Sequence, residues 1–158
     1  RNPDHAFANY ILGKLQSDRK EYTLAENSFR KSLESWRQPE ILNDLAYVLE
    51  KTGNIQEAET LAREAILLDP RLHFAYDTLG VVLMRLNKFD EAKESLEKAL
   101  SLSEDNMEVY LHLAELHVLA NRKEQAQEIL NMLYENRNKL SMDDQDKLNE
   151  VRKMADSM

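Results

Sequence analysis

Residues 73–106 read HFAYDTLGVVLMRLNKFDEAKESLEKALSLSEDN, and two amphipathic stripes fill them. Tyr76, Leu79, Gly80 and Leu83 fall at i, i+3, i+4 and i+7, one face of a helix. After a turn at Asn87, Phe89, Ala92, Leu96 and Ala99 form a second apolar face. Working outward, the same features return at a fixed step. Leu45-Ala46, Leu79-Gly80 and Leu113-Ala114 are 34 residues apart, and Leu12-Gly13 precedes the first by 33. Ala25, Ala58, Ala92 and Ala126 follow at 33, 34 and 34, and Gly53, Asn87 and Asn121 make a third row. A period of this length marks a stacked array of helical pairs, because one pair cannot bury its apolar face alone.

The neighbouring units carry their own punctuation. In the second, Pro39 suits a first helical position, and Leu42, Leu45, Ala46 and Leu49 make the stripe. Gly53 is expected to end that helix in the left-handed conformation. Asn54 with Glu57 has capping-box spacing for the next helix, as do Asp105 with Glu108 and Ser141 with Asp144. Asp69-Pro70 stops the second helix of that unit. The expected divisions are 6–38, 39–72, 73–106 and 107–140, then 141–158 as a C-terminal capping helix with Leu148, Val151 and Met154 on one narrow face. Residues 1–5 read as the tail of an upstream unit, since Pro3 falls in the phase of Pro70.

Composition agrees with helices and excludes several classes. Gly and Pro number three each, and charged residues make up 32% of the chain. Net charge is −8, without the basic stripe that nucleic acid demands. That balance reads first as solubility and second as a preference for basic partners. No stretch approaches the ~20 apolar residues of a membrane span. The absence of cysteine excludes thiol chemistry and leaves the compartment open. His112 and His117 flank Glu115, but five residues set them about 140° apart on a helix, unlike a zinc-protease motif. No catalytic set, metal site or cofactor loop is expected. Trp36 reads as packing at a junction, or alternatively as an exposed anchor. His117 falls on a buried stripe.

Tyr76, Leu79-Gly80, Phe89, Ala92, Ala99 and the phase of Pro70 resemble the tetratricopeptide repeat family, over about residues 1–140. Asn9, Lys123 and Leu133 depart from its pattern. The resemblance implies an all-α, right-handed superhelical solenoid of helix–turn–helix units, working as a non-catalytic protein-interaction scaffold. The alternative is a structural spacer in a larger assembly. In this family the first helix of each unit lines a concave wall that binds peptides or helices. Off-stripe positions on those helices are Tyr10, Lys14, Asn43, Tyr47, Glu50, Asp77, Val81, Arg85, Leu111, His112 and Glu115. Acids outnumber bases among them, so a neutral-to-basic protein segment is the expected partner. Some members clamp a chaperone's C-terminal carboxylate with Lys, Asn, Asn, Lys and Arg. Here those places hold Tyr10, Lys14, Asp44, Phe74 and Thr78, or in the next frame Asn43, Tyr47, Thr78, Glu108 and His112, neither of which is cationic enough. At the other end, Phe7 and Ile11 are expected to be exposed and to support weak self-association through the first unit.

Overall fold

The computed structural model describes residues 3–158; Arg1 and Asn2, part of the expected tail, lie outside them. Helices follow one another in antiparallel pairs. These are α1 (Pro3–Asp18) with α2 (Tyr22–Leu33), α3 (Pro39–Thr52) with α4 (Ile55–Leu68), α5 (His73–Arg85) with α6 (Phe89–Leu102), and α7 (Met107–Leu119) with α8 (Lys123–Glu135). A 3₁₀ turn, Arg137–Lys139, leads into α9 (Met142–Asp156). Among the described residues there is no strand, and the chain is an all-α repeat solenoid. The first helix starts at Pro3 rather than Ala6, because no glycine or second proline interrupts the residues between.

The turns within the pairs share one device. Gly53 has φ of 88°, the left-handed conformation expected of it, and Asn87 and Asn121, expected at the matching turns, share it at 58° and 56°. Lys20 joins them at 60°, at the same phase of the first pair. In each turn the next N–H reaches back five residues. Glu21 bonds Gln16 O, Asn54 Leu49 O, Lys88 Leu83 O and Arg122 His117 O, at 2.8–2.9 Å. This closes the orphan carbonyls of the preceding helix.

Caps are more varied than their spacing suggested. Ser141 accepts from the Asp144 N–H as expected. Asn54 is an N-cap without a side-chain cap bond; its Nδ2 turns to Thr52 Oγ1 instead. Asp105 is not a cap, since α7 starts later and Asn106 accepts from the Val109 N–H.

Small residues let the paired helices touch. Ala25, Ala58, Ala92 and Ala126 are fully buried. A Cβ on Gly80 would sit 2.6 Å from the Leu96 side chain, so that crossing needs glycine. Leu45, Leu79 and Leu113 are 1%, 4% and 5% exposed, whereas Leu12, at the same phase, is 46% exposed. Phe7, Ile11, Leu15 and Leu24 are exposed with it, so the first pair does present the expected apolar surface. Trp36 packs against Phe7 and edge-on against Tyr10, which favours the packing reading. His117 is buried, and burial, with Arg122 and Lys93 nearby, lowers its pKa.

Candidate functional site

The first helices of the pairs line one wall of the solenoid, and α9 comes round to face it. Two adjoining hollows of about 470 and 490 Å³ share Tyr47, Asp77, Thr78, Glu108 and Asp143. Lys20, in the turn after α1, meets Asp143 of α9 at 2.8 Å across 123 residues of sequence. The groove is thus bridged at its mouth by one exposed ion pair, which solvent screens.

The sequence-derived positions distribute unevenly along this groove. Tyr10, Lys14, Asn43, Tyr47 and Asp77 line the first hollow; Tyr47, Glu50, Asp77, Val81 and His112 line the second. Arg85 and Glu115 border a further hollow beside α9. Leu111 does not belong to the wall. It is fully buried in a core with Leu130, Leu148 and Val151, because α9 packs over that side of α7. Val81 and Asn43 are largely buried as well; Tyr47, the ring common to both hollows, is 39% exposed, and Phe74 of the first hollow is 55% exposed.

Most charges in the groove are already paired. Lys14 lies 3.3 Å from Asp44, and Lys147 of α9 lies 2.8 Å from Glu115. Glu50, nearly buried, meets Arg85 at 3.0 Å and Lys51 at 2.8 Å. Burial acts to raise the Glu50 carboxyl, but the two cations outweigh it and hold it below the usual range. His112 Nδ1 donates to Asp77 Oδ1 at 2.7 Å.

Other groups are strained toward neutrality. Burial pushes the Asp44 carboxyl up, against Lys14, Tyr10 and Asn43. Burial, with Asp44 beside it, pushes the Tyr10 phenol up to about 12. Burial, with Tyr22 next to it, raises Tyr47; the two rings meet edge-on at 6.3 Å, and Lys51 Nζ sits 5.0 Å over Tyr47. Glu108 is raised by desolvation first, and by Asp77 and Asp144, while His112 and Lys147 oppose.

Tyr22, Glu108 and the α9 residues Asp143 and Lys147 are groove residues that the repeat pattern did not reveal. Tyr22 opens a second helix, and α9 faces the groove only through the curvature summed over four pairs. Glu108 has a signal in the sequence, since it falls in one clamp frame, but it also stands at capping-box spacing from Asp105. Among the described residues no group of His, Asp and Glu could hold a metal ion, and no helix is long and apolar enough to cross a membrane.

Two tetratricopeptide repeat models match the chain, over residues 39–72 and 83–140, together more than half of it. The chain belongs to that family. It is 36% identical over 66 residues, 42% of its length, to the human protein O-mannosyl-transferase TMTC3, of which the match spans 7%. It is 30% identical over 118 residues, 73% of its length, to the type IV pilus assembly protein PilF of Pseudomonas aeruginosa, of which the match spans 47%. The chain therefore spans less than half the length of either relative. Among solved structures, the first tetratricopeptide domain of Spaghetti (RPAP3), bound to the HSP90 peptide SRMEEVD, superposes with a TM-score of 0.68 at 21% identity, covering 76% of this chain and 94% of that one.

Proposed function

We propose that this chain is a non-catalytic scaffold that holds an extended peptide or helix of a partner protein in the inner groove. The observation that carries the reading is the Tyr47 ring, left 39% exposed at the centre of two hollows with the Asn43 amide in the same wall. A ring supplies contact area and an amide can read a peptide backbone. Family membership supports a binding role, and a structural relative is solved with a peptide bound. That peptide is acidic. This groove is lined by Asp18, Glu40, Asp44, Asp77 and Glu108, which favours a neutral-to-basic segment instead. The transferase match covers 7% of that relative and brings no catalytic step to this chain.

The test is a titration of a captured partner's binding segment against the parent and Tyr47→Ala. The variant is expected to bind about fivefold more weakly, or ~1 kcal/mol, with helicity unchanged. A partner indifferent to Tyr47, Asn43 and Asp77 together moves the search to the outer wall. The reading also includes weak self-association through the exposed apolar residues of the first pair, including Phe7 and Ile11. Light scattering over a concentration series checks it; strictly monomeric behaviour, with Phe7→Glu changing nothing, removes it.

A further inference from the structure

Once the groove's own cations are matched to their acids, Glu108 is the carboxylate left over that lines both hollows; Asp18 and Glu40, also without an ion pair among the described residues, border only the first and are exposed. Lys14, Lys20, Lys51, Arg85 and Lys147 each already face a carboxylate within 4 Å. Asp77 is held by His112. Glu108 lines both hollows and, among the described residues, takes part in no ion pair and no side-chain hydrogen bond. It stands one helical turn before His112 on α7, with Asp77 of α5, and Asp144 and Lys147 of α9, acting on it. Desolvation raises its carboxyl first, and Asp77 and Asp144 add to that, while His112 and Lys147 oppose. An acid placed beside other acids, with the local lysine drawn away to Glu115, is short of a positive partner.

A second observation is independent of that charge. Asn43 of α3 is 7% exposed, lines the same 470 Å³ hollow as Glu108, and its Oδ1 accepts no hydrogen bond. Buried amide oxygens are nearly always satisfied in folded proteins. Both vacancies are therefore acceptors, one charged and one neutral, contributed by α7 and α3 to one hollow. An N–H-rich cation fits that pair. A guanidinium offers five donors in a planar fork and can engage two acceptors at once, which an ammonium does less well.

We propose that Glu108 and Asn43 form a subsite for an arginine side chain carried by an extended segment of the partner protein, Glu108 countering the charge and Asn43 Oδ1 taking an N–H. This rests on the groove being the partner-binding surface. It makes that surface selective by charge and by donor count rather than by shape alone.

The experiment uses the full chain, labelled with ¹⁵N, and three blocked pentapeptides of sequence Ser-Ala-X-Ala-Ser. X is arginine, lysine or citrulline, the last keeping donors of the side chain while removing its charge. The arginine peptide is expected to shift groove amides of α3 and α7 saturably, and to bind roughly tenfold more tightly than the citrulline peptide, the margin a charge-assisted hydrogen bond provides. Glu108→Gln should reduce the arginine peptide to the citrulline level while the spectrum stays dispersed. Asn43→Ala should weaken both peptides, with Glu94→Gln on α6 as the silent control. Equal binding of arginine and citrulline peptides with groove shifts would overturn the subsite and leave the groove reading standing. Lysine binding as tightly as arginine, or calcium chloride producing the same shifts, would overturn the guanidinium assignment. If no peptide shifts a groove residue, the subsite and the groove reading both fail.

Discussion

On the outer wall, Arg30 of α2 meets Glu57 of α4 at 2.7 Å, and Arg63 of α4 meets Glu91 of α6 at 3.0 Å, the same contact one repeat on. Arg37 and Glu64 add another pair between the same two units at 2.6 Å. Such charges recur because the fold brings their positions together at every step. The inner wall keeps the positions but not the residues. Tyr10, Asn43 and Asp77 share one phase, and Lys14, Tyr47, Val81 and Glu115 another, at steps of 33 and 34. Ring, amide and acid follow one another where a purely structural position would repeat itself. The two walls teach the same lesson from opposite sides: recurrence marks what stacking requires, and variety marks where stacking leaves the residue free.

The strongest way to break this division is to attack what both walls stand on. A Cβ at Gly80 already meets Leu96 at 2.6 Å, and Leu96 is fully buried with nowhere to retreat. Gly80→Leu should cost about 1–3 kcal/mol or more in urea unfolding, through overpacking. The loss should appear equally in a probe of the outer wall and in Tyr47 fluorescence from the groove. A variant as stable as the parent would mean that α5 and α6 do not cross as described.

The same distinction explains what could be read before the structure. The period, the left-handed Gly53, Asn87 and Asn121, and the Ser141 cap are short-range signals that a sequence carries intact. Lys20 adopts the same turn without advertising it, because lysine has no preference for positive φ. Asn54 and Asp105 show that capping-box spacing is not sufficient; in each case a neighbouring polar group or a later helix start took over. Ten of the eleven wall positions border the groove or its extension, since the repeat phase fixes which face each residue takes. Leu111 fails because α9 covers it, and the Lys20–Asp143 bridge was invisible for the same reason. Both depend on the curvature of the whole stack, which no local spacing encodes.

A smaller effect sharpens the outer half of the comparison. Arg63 holds Glu59 at 2.8 Å within its own helix and Glu91 on the next unit. These are exposed pairs, so Arg63→Ala should cost only about 0.2–1 kcal/mol, and less in high salt. Peptide affinity in the groove should not change. A larger, salt-insensitive loss would show that the ladder is a buried element, and a change in affinity would show that the walls are coupled.

The smallest effect carries the sharpest contrast, because its sign differs between the walls. The Glu57 carboxyl on the outside is held below its ordinary value by the hydrogen bonds and charge of Arg30. It therefore adds stability above its unfolded pKa, and that contribution disappears as pH falls through the lower folded value. Glu108 in the groove is raised, by desolvation and then by its acidic neighbours. The folded state binds that proton more tightly than the unfolded chain does. Stability is accordingly lost as pH climbs from the unfolded value through the raised folded one, and the penalty is complete above that folded value. Glu57→Gln should thus lower the melting temperature at pH 7, Glu108→Gln should raise it, and both differences should close in acid. Differential scanning calorimetry from pH 2 to pH 7 measures this directly. A groove acid whose removal stabilises the fold is one retained for something other than folding. If Glu108→Gln instead destabilises at pH 7, Glu108 has a structural partner, and the inner wall is no freer than the outer.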